Sequence, residues 1–97
     1  MTGARFDELI HPSTRLSIVA LLAAADWADF AFVRDQLGMS DSALSKQLST
    51  LEEAGYVCIE RPVTDKRRRV RARLTREGRT AFRGHVAALR AIVDSVD

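Results

Sequence analysis

Apolar residues recur at helical spacing through most of this chain and switch once to a period of two. Leu16, Val19 and Leu22 lie three apart, and Ile18, Leu21 and Ala25 widen their stripe. That pattern predicts a largely buried helix from Pro12 to about Ala25. Proline suits a first helical position, because its missing N–H would be unpaired there anyway. Ahead of it, Arg5 to Ile10 reads as a turn or two of amphipathic helix interrupted at His11-Pro12. Asp29 is placed to cap a short helix with Phe30, Val33 and Leu37 on its inner face, and Gly38 supplies a left-handed residue to end it. Ser40 caps the helix after that. Ala43, Leu44, Leu48 and Leu51 form its inner face at 3–4-residue spacing. Gly55 closes it, with Tyr56 placed for the hydrophobic contact that accompanies such an ending.

From Tyr56 the period is two. Val57 and Ile59 point one way, Cys58 and Glu60 the other; farther on, Val70, Ala72 and Leu74 alternate with Arg69, Arg71 and Arg73. Two alternating strands joined by about six or seven polar residues predict an antiparallel hairpin with one face on the core. Thr75 then caps a last helix reaching about Asp94, despite Gly78 and Gly84, which lower its intrinsic stability. Phe82, Val86, Leu89, Val93 and Val96 follow a 4, 3, 4, 3 spacing in it, and Ala81, His85, Ala88 and Ile92 repeat that spacing one residue earlier. The stripe is wider than docking on so small a body requires. Pairing with the same helix of a second copy would bury it.

The expected fold class is therefore mainly α with a small antiparallel β-hairpin, dimerising through the terminal helices. At 97 residues, one domain over 1–97 is expected, small enough to gain from a partner subunit. Its parts are a helix-turn-helix at about 30–54, a wing at about 57–74 and a dimerisation helix at about 76–94. An apolar content of 46% beside 29% charged residues argues against wholesale disorder.

Charge changes the picture through its placement. The net charge is only +2, yet residues 61–79 carry nine basic side chains against two acidic ones, and residues 1–60 carry four against nine. A cationic block of that density repels itself unless an anion sits nearby. Beside a helix-turn-helix, the anion it suggests is duplex DNA. The second helix of such a unit presents its outward face to base edges in the major groove. Here that face carries Ser42, Ser45, Lys46 and Ser49, with Asp41 and Gln47 at its margins. Serines and one lysine are permissive readers, which leaves much specificity to DNA shape.

In the wing, Lys66, Arg67, Arg68 and Arg69 are expected to contact phosphates or to place one guanidinium in the minor groove. Arg71 joins them as a wing contact. It shares a strand face with Arg73, and the two can touch the DNA backbone or pair with acidic groups. Asp65 would orient a neighbouring arginine. Arg15 is open to two readings, a backbone contact or a structural salt bridge.

The order of elements resembles a winged helix-turn-helix transcription regulator of the MarR (multiple antibiotic resistance) superfamily, in its small single-domain form, with kinship to the ArsR type. Three anchors carry the resemblance: IHPSTRLSIVALL at 10–22, LGMSDSALSKQLSTLEEAGYV at 37–57 and TDKRRRVRARLTREGRTAF at 64–82. The third resembles the family's wing, an Asp-x-Arg followed by basic residues and Leu-Thr-x-x-Gly, here Asp65, Arg67, Leu74, Thr75 and Gly78. The resemblance implies a homodimeric repressor on a pseudo-palindromic operator, with half-sites about one turn, roughly 34 Å, apart. Larger MarR proteins have a longer N-terminal helical region. Its lack here weakens the expectation of their ligand pocket, so a small-molecule effector is left open and unidentified.

Other chemistry is sparse. No phosphate-cradling glycine loop, nucleophile–base pair or carboxylate pair stands out, and no enzymatic activity is expected. No cofactor is implied. Cys58, His11 and His85 are far apart in sequence, and the cysteine pair of ArsR metal sensors is missing from the helix at 41–54, so no metal is expected. A single cysteine fits a reducing cytoplasm. The longest apolar run, Ile18 to Ala25, is too short to span a bilayer. The competing reading is a winged-helix module that binds protein rather than an operator.

Overall fold

Helix α1 (Ser13–Ala23), strand β1 (Ala28–Asp29), helices α2 (Phe30–Leu37) and α3 (Asp41–Glu53), strands β2 (Val57–Glu60), β3 (Val63–Thr64), β4 (Arg67–Arg68) and β5 (Arg71–Leu74), and helix α4 (Arg76–Asp94) follow one another along the chain. This computed structural model describes residues 3–61, 63–64 and 67–96, with the backbone alone at 63–64 and 67–68. The sequence expectations at Asp65 and Lys66, and those for the Arg67 and Arg68 side chains, fall outside the described residues.

The helix endings follow the expected local chemistry. Gly38 and Gly55 adopt φ of 63° and 82°, a left-handed geometry that costs a residue without Cβ little. Each lets the chain turn back onto its helix. Met39 N–H donates to Arg34 O and Tyr56 N–H to Leu51 O, both at 3.0 Å, which satisfies carbonyls the helix leaves open. At the other ends, Ser40 Oγ accepts from Ala43 N–H at 3.1 Å and Thr75 Oγ1 accepts from Gly78 N–H at 3.0 Å. Each cap contributes about 1 kcal/mol.

The core gathers Ile18, Val19 and Leu22 of α1, Val33 of α2, Leu44, Leu48 and Leu51 of α3, Val57 of β2, and Ala72 and Leu74 of β5, with Ile10 from the N-terminal segment. Leu44 and Leu51 are wholly buried. Burying each stabilises by about 2–3 kcal/mol and holds α3 at a fixed roll angle. That roll turns the serine face outward.

Five expectations are corrected. Pro12 sits just ahead of α1 in extended conformation rather than as its first residue, and α1 stops at Ala23. Residues 8–10 make a turn and no helix forms over Arg5–Ile10, because the Asp7 carboxylate takes up the Leu9 and Ile10 amides at 2.9 and 3.1 Å. Ala43 is exposed, one helical step off the face that Leu44 occupies. Asp29 does hold the N-cap position of α2, in extended backbone as the end of β1, but its side chain makes no cap bond, and the first α2 amide, Phe30 N–H, donates to Val70 O at 2.7 Å. The fifth concerns the sheet.

The predicted hairpin forms with Val57 opposite Leu74 and Ile59 opposite Ala72. It acquires a third strand, β1, paired to the other edge of β5, so the order is β1-β5-β2. Beyond it the chain continues into a second ladder, β3 with β4, in which Val63 faces Arg68 and Thr64 faces Arg67. That extension is the wing. Val70 lies outside the strand, half-buried.

The glycines of α4 have a tertiary explanation. A Cβ on Gly78 would lie 2.1 Å from the Tyr56 carbonyl oxygen, and one on Gly84 would lie 3.0 Å from that of Gly3. The helix gives up some intrinsic stability where other backbone must approach it. Among the described residues, no helix is long and apolar enough to cross a membrane.

Candidate nucleic-acid interface

Ser42, Ser45, Lys46 and Ser49 are all exposed on α3, on the side away from Leu44, Leu48 and Leu51. The helix begins with Asp41, whose carboxylate Oδ1 accepts from Arg34 Nη1 at 2.9 Å. A second Arg34 bond runs from Nε to Asp35 Oδ1 at 2.9 Å, and the two carboxylates hold the guanidinium proton more tightly than usual. Gln47, at the margin of the face, accepts from Arg15 Nη1 at 2.9 Å, while Arg15 Nε donates to Leu9 O at 2.6 Å. Arg15 is therefore an internal brace, and its partners are a carbonyl and an amide rather than the carboxylate of a salt bridge.

The three serines share a groove of about 500 Å³ with Ile59, Arg61 and Val70. The sequence expectation places Arg61 in the cationic block but assigns it no role. A signal for one is present: Val57, Ile59 and Arg61 have the same parity, so Arg61 continues the face of β2 that looks toward α3, one step beyond the edge of the core.

The structure sorts the remaining arginines by what holds them. Arg69 and Arg76 are exposed, as is Arg61. Arg71 donates through Nε to Glu60 Oε1 at 2.7 Å, reinforced by a second bond from Nη2 to the same oxygen. Its guanidinium lies 4.3 Å from the centre of the Trp27 ring, and that of Arg73 lies 5.2 Å away. Of the alternatives open to Arg71, pairing with an acidic group is the one observed. Arg79 is turned inward, with Nη1 and Nη2 on the carbonyls of Ala23 and Ala25, both at 3.1 Å. It serves as a cationic cap at the C-terminus of α1. Charge density along the chain does not distinguish these side chains, because each partner comes from a distant segment.

The model of the winged helix DNA-binding domain family matches residues 14–93. The chain belongs to that family. An uncharacterized protein of Methanocaldococcus jannaschii is 28% identical over 79 residues, which is 81% of this chain and 86% of that protein. Among solved structures, a transcriptional regulator homologue protein from Pyrococcus horikoshii shares the fold with a TM-score of 0.89 at 23% identity, over 94% of this chain and 90% of that one. NadR, solved in complex with 4-hydroxyphenylacetate, superposes with a TM-score of 0.74 at 26% identity, covering 92% of this chain and 62% of its own. This chain thus spans rather less than two thirds of NadR. The PcaV transcriptional regulator from Streptomyces coelicolor shares the fold with a TM-score of 0.73 at 24% identity, over 87% of this chain and 59% of that one. The family is one of DNA-binding domains, and the fold is one found in transcriptional regulators.

The terminal helix of this winged-helix chain divides into two halves. Ala81 and Phe82 pack against the core and His85 is wholly buried, so the first half is docked on its own body. Val86 and Leu89 are half-buried. Ile92, Val93 and Val96 stand 53%, 68% and 75% exposed, an apolar end with no cover in the single chain. Phe82, Val86, Ala87, Arg90 and Ala91 line a groove of about 540 Å³ along this side, with Ala4 at its border.

His11 and His85, distant in sequence, are brought together with their ring nitrogens 3.3 Å apart. Cys58 lies on β2 opposite Arg73. Among the described residues, no group of three or more His, Cys, Asp or Glu side chains is placed to hold a metal ion.

Proposed function

We propose that this winged-helix regulator acts as a homodimeric repressor, occluding a promoter by placing two α3 helices in successive major grooves of a pseudo-palindromic operator. The observation that carries the reading is the groove shared by Ser42, Ser45, Ser49 and Arg61, which joins a hydroxyl-bearing helix face to the base of a cationic wing. Hydroxyls and Lys46 would meet base edges, while Arg61 and Arg67 to Arg69 would meet phosphates on either side. Lys66 is assigned to the same group on its position in the sequence. The exposed end of α4, with Val93 and Val96, supplies the surface by which a second copy would set the two helices one turn of DNA apart. NadR, solved with 4-hydroxyphenylacetate, makes small organic molecules the first class to screen as effectors.

The reading is tested by salt-titrated binding to duplex DNA from upstream of the protein's own gene. Affinity should fall steeply with salt, and Ser45→Ala or Lys46→Ala should change the preference among sequences more than the salt dependence. Failure to shift any duplex at low salt, in a chain that instead forms heteromeric complexes, would overturn it.

A further inference from the structure

The segment from Gly3 to His11 lies across α4 and is fastened there by two of its backbone amides, one on a carbonyl and one on a side chain. Arg5 N–H donates to Gly84 O at 2.9 Å, and Asp7 N–H donates to His85 Nδ1 at 3.0 Å. The absence of a Cβ at Gly84 permits the approach. Phe6 closes over the junction, its ring centre 4.7 Å from those of both His85 and His11.

A backbone N–H can only donate, so His85 Nδ1 must present a lone pair. A neutral imidazole with a free Nδ1 carries its proton on Nε2. Nε2 of His85 faces Nδ1 of His11 at 3.3 Å, and the proton is donated there. His11 then keeps its own proton on Nε2. The partners thus specify the tautomer of both rings. A protonated His85 has N–H groups at both positions and would set one of them against the Asp7 amide.

We propose that His85 and His11 form a proton-operated latch, which holds residues 3–11 on α4 when His85 is neutral and releases them when it is protonated. The ionisable groups acting on His85 are His11, Asp7 and Glu8, all on the arm, while Tyr56 and Arg15 hold the arm itself through Asp7 Oδ2 and Leu9 O. Asp7 and Glu8 favour the charged ring, but burial and His11 outweigh them and lower the proton affinity of His85. The Asp7 carboxylate is otherwise engaged, Oδ1 by the Leu9 and Ile10 amides and Oδ2 by the Tyr56 hydroxyl, so it offers His85 an amide in place of a counter-charge. With its affinity lowered, the latched form binds fewer protons than the released form. The latch is at full strength above the ordinary histidine value of 6.5 and weakens as pH falls below it. Because Ala4 borders the groove that runs past Phe82 and Val86, release would also remove one edge of the surface offered to a second copy. That last consequence rests on the dimer proposed above.

The test uses the full chain with ¹⁵N-labelled histidine. At about pH 8, long-range nitrogen–proton correlations should show both rings as Nε2–H tautomers, with the Arg5 and Asp7 amides protected from exchange. As His85 protonates on the way to about pH 5, those two amides should lose protection by about tenfold or more while Leu48 and Leu51 keep theirs. His85→Asn leaves an oxygen acceptor near the place of Nδ1 but cannot titrate, and its arm should stay protected throughout. A proton on His85 Nδ1 at the higher pH would overturn the latch. So would Asp7 protection indifferent to His85 titration, or an H85N arm that still opens in acid. Should H85N not fold, the tautomer and exchange data on the natural chain decide the matter. Sedimentation at the same two pH values should show a looser dimer in acid. A monomer at both would sink the dimer, and the latch would still stand or fall on its exchange data.

Discussion

Arg34 Nη1 meets Asp41 Oδ1 at 2.9 Å, joining the helix before the turn to the first turn of the helix after it. Asp41 is 73% exposed and Arg34 about one-third exposed, so solvent screens the pair and it contributes little to folding. Its place is what matters, since Asp41 stands beside Ser42 at the end of α3 that is proposed to enter the major groove. An unpaired carboxylate there would oppose the phosphates. Arg34→Ala should weaken DNA binding by about threefold to tenfold, and adding Asp41→Asn should recover most of that affinity. Fluorescence anisotropy on one duplex suffices. A double variant no tighter than R34A alone would refute the shielding role.

The two kinds of arginine in the cationic block should separate in a salt titration. Replacing Arg67, Arg68 and Arg69 together by alanine should flatten the dependence of log K on log salt by roughly 0.9 for each phosphate no longer neutralised. Arg71→Ala should leave that slope near its natural value, because Glu60 and Trp27 already hold the guanidinium. It should instead alter the emission of the single tryptophan. Equal flattening by both changes would mean that Arg71 leaves Glu60 for DNA.

Tyr56 donates to Asp7 Oδ2 at 2.6 Å, and the carboxylate, aided by burial, pushes the phenol up to about 12. The folded state therefore holds this proton more tightly than the unfolded chain, where the value is near 10. The stabilisation is complete below pH 10 and is lost as pH rises through 12. As the only tyrosine, Tyr56 gives an unmixed phenolate absorbance. Asp7→Asn should move the absorbance midpoint down toward 10. A midpoint already near 10 in the natural chain would show that the bond does not persist in solution.

Gly78→Ala should destabilise the domain by about 3 kcal/mol in urea unfolding, since its methyl group would collide with the Tyr56 carbonyl oxygen and backbone must move. Substituting alanine at exposed Thr80, on the same helix, should change stability by no more than about 0.5 kcal/mol. Equal effects at the two positions would count against the close approach.

Val93→Asp places a charge on the exposed apolar end of α4. If a second copy covers that end, ultracentrifugation should show dissociation to single chains, with circular dichroism unchanged because Val93 is 68% exposed in the protomer. DNA affinity should fall in parallel. An unaltered sedimentation coefficient would place the interface elsewhere.

Local pattern was enough for helices α1 to α4 and most of their ends, although it also offered a helix over Arg5–Ile10 that does not form. Leu44, Leu48 and Leu51 announced α3 and its roll, Ser40 and Thr75 announced their caps, and Gly38 and Gly55 announced their turns, because each depends on neighbours within four or five residues. The alternation of Val57, Ile59, Ala72 and Leu74 likewise foretold the hairpin and its core face. Strand β1 escaped notice, since two residues carry no period and Ala28 becomes a strand only by meeting Ala72. Which cations remain free for an anion was equally hidden. Arg15, Arg71 and Arg79 look alike in sequence, yet folding brings each to an acceptor 6, 11 or more than 50 residues away. The pairing of His11 with His85 has the same origin: the energy of such contacts depends on distances that chain connectivity leaves open until the core closes.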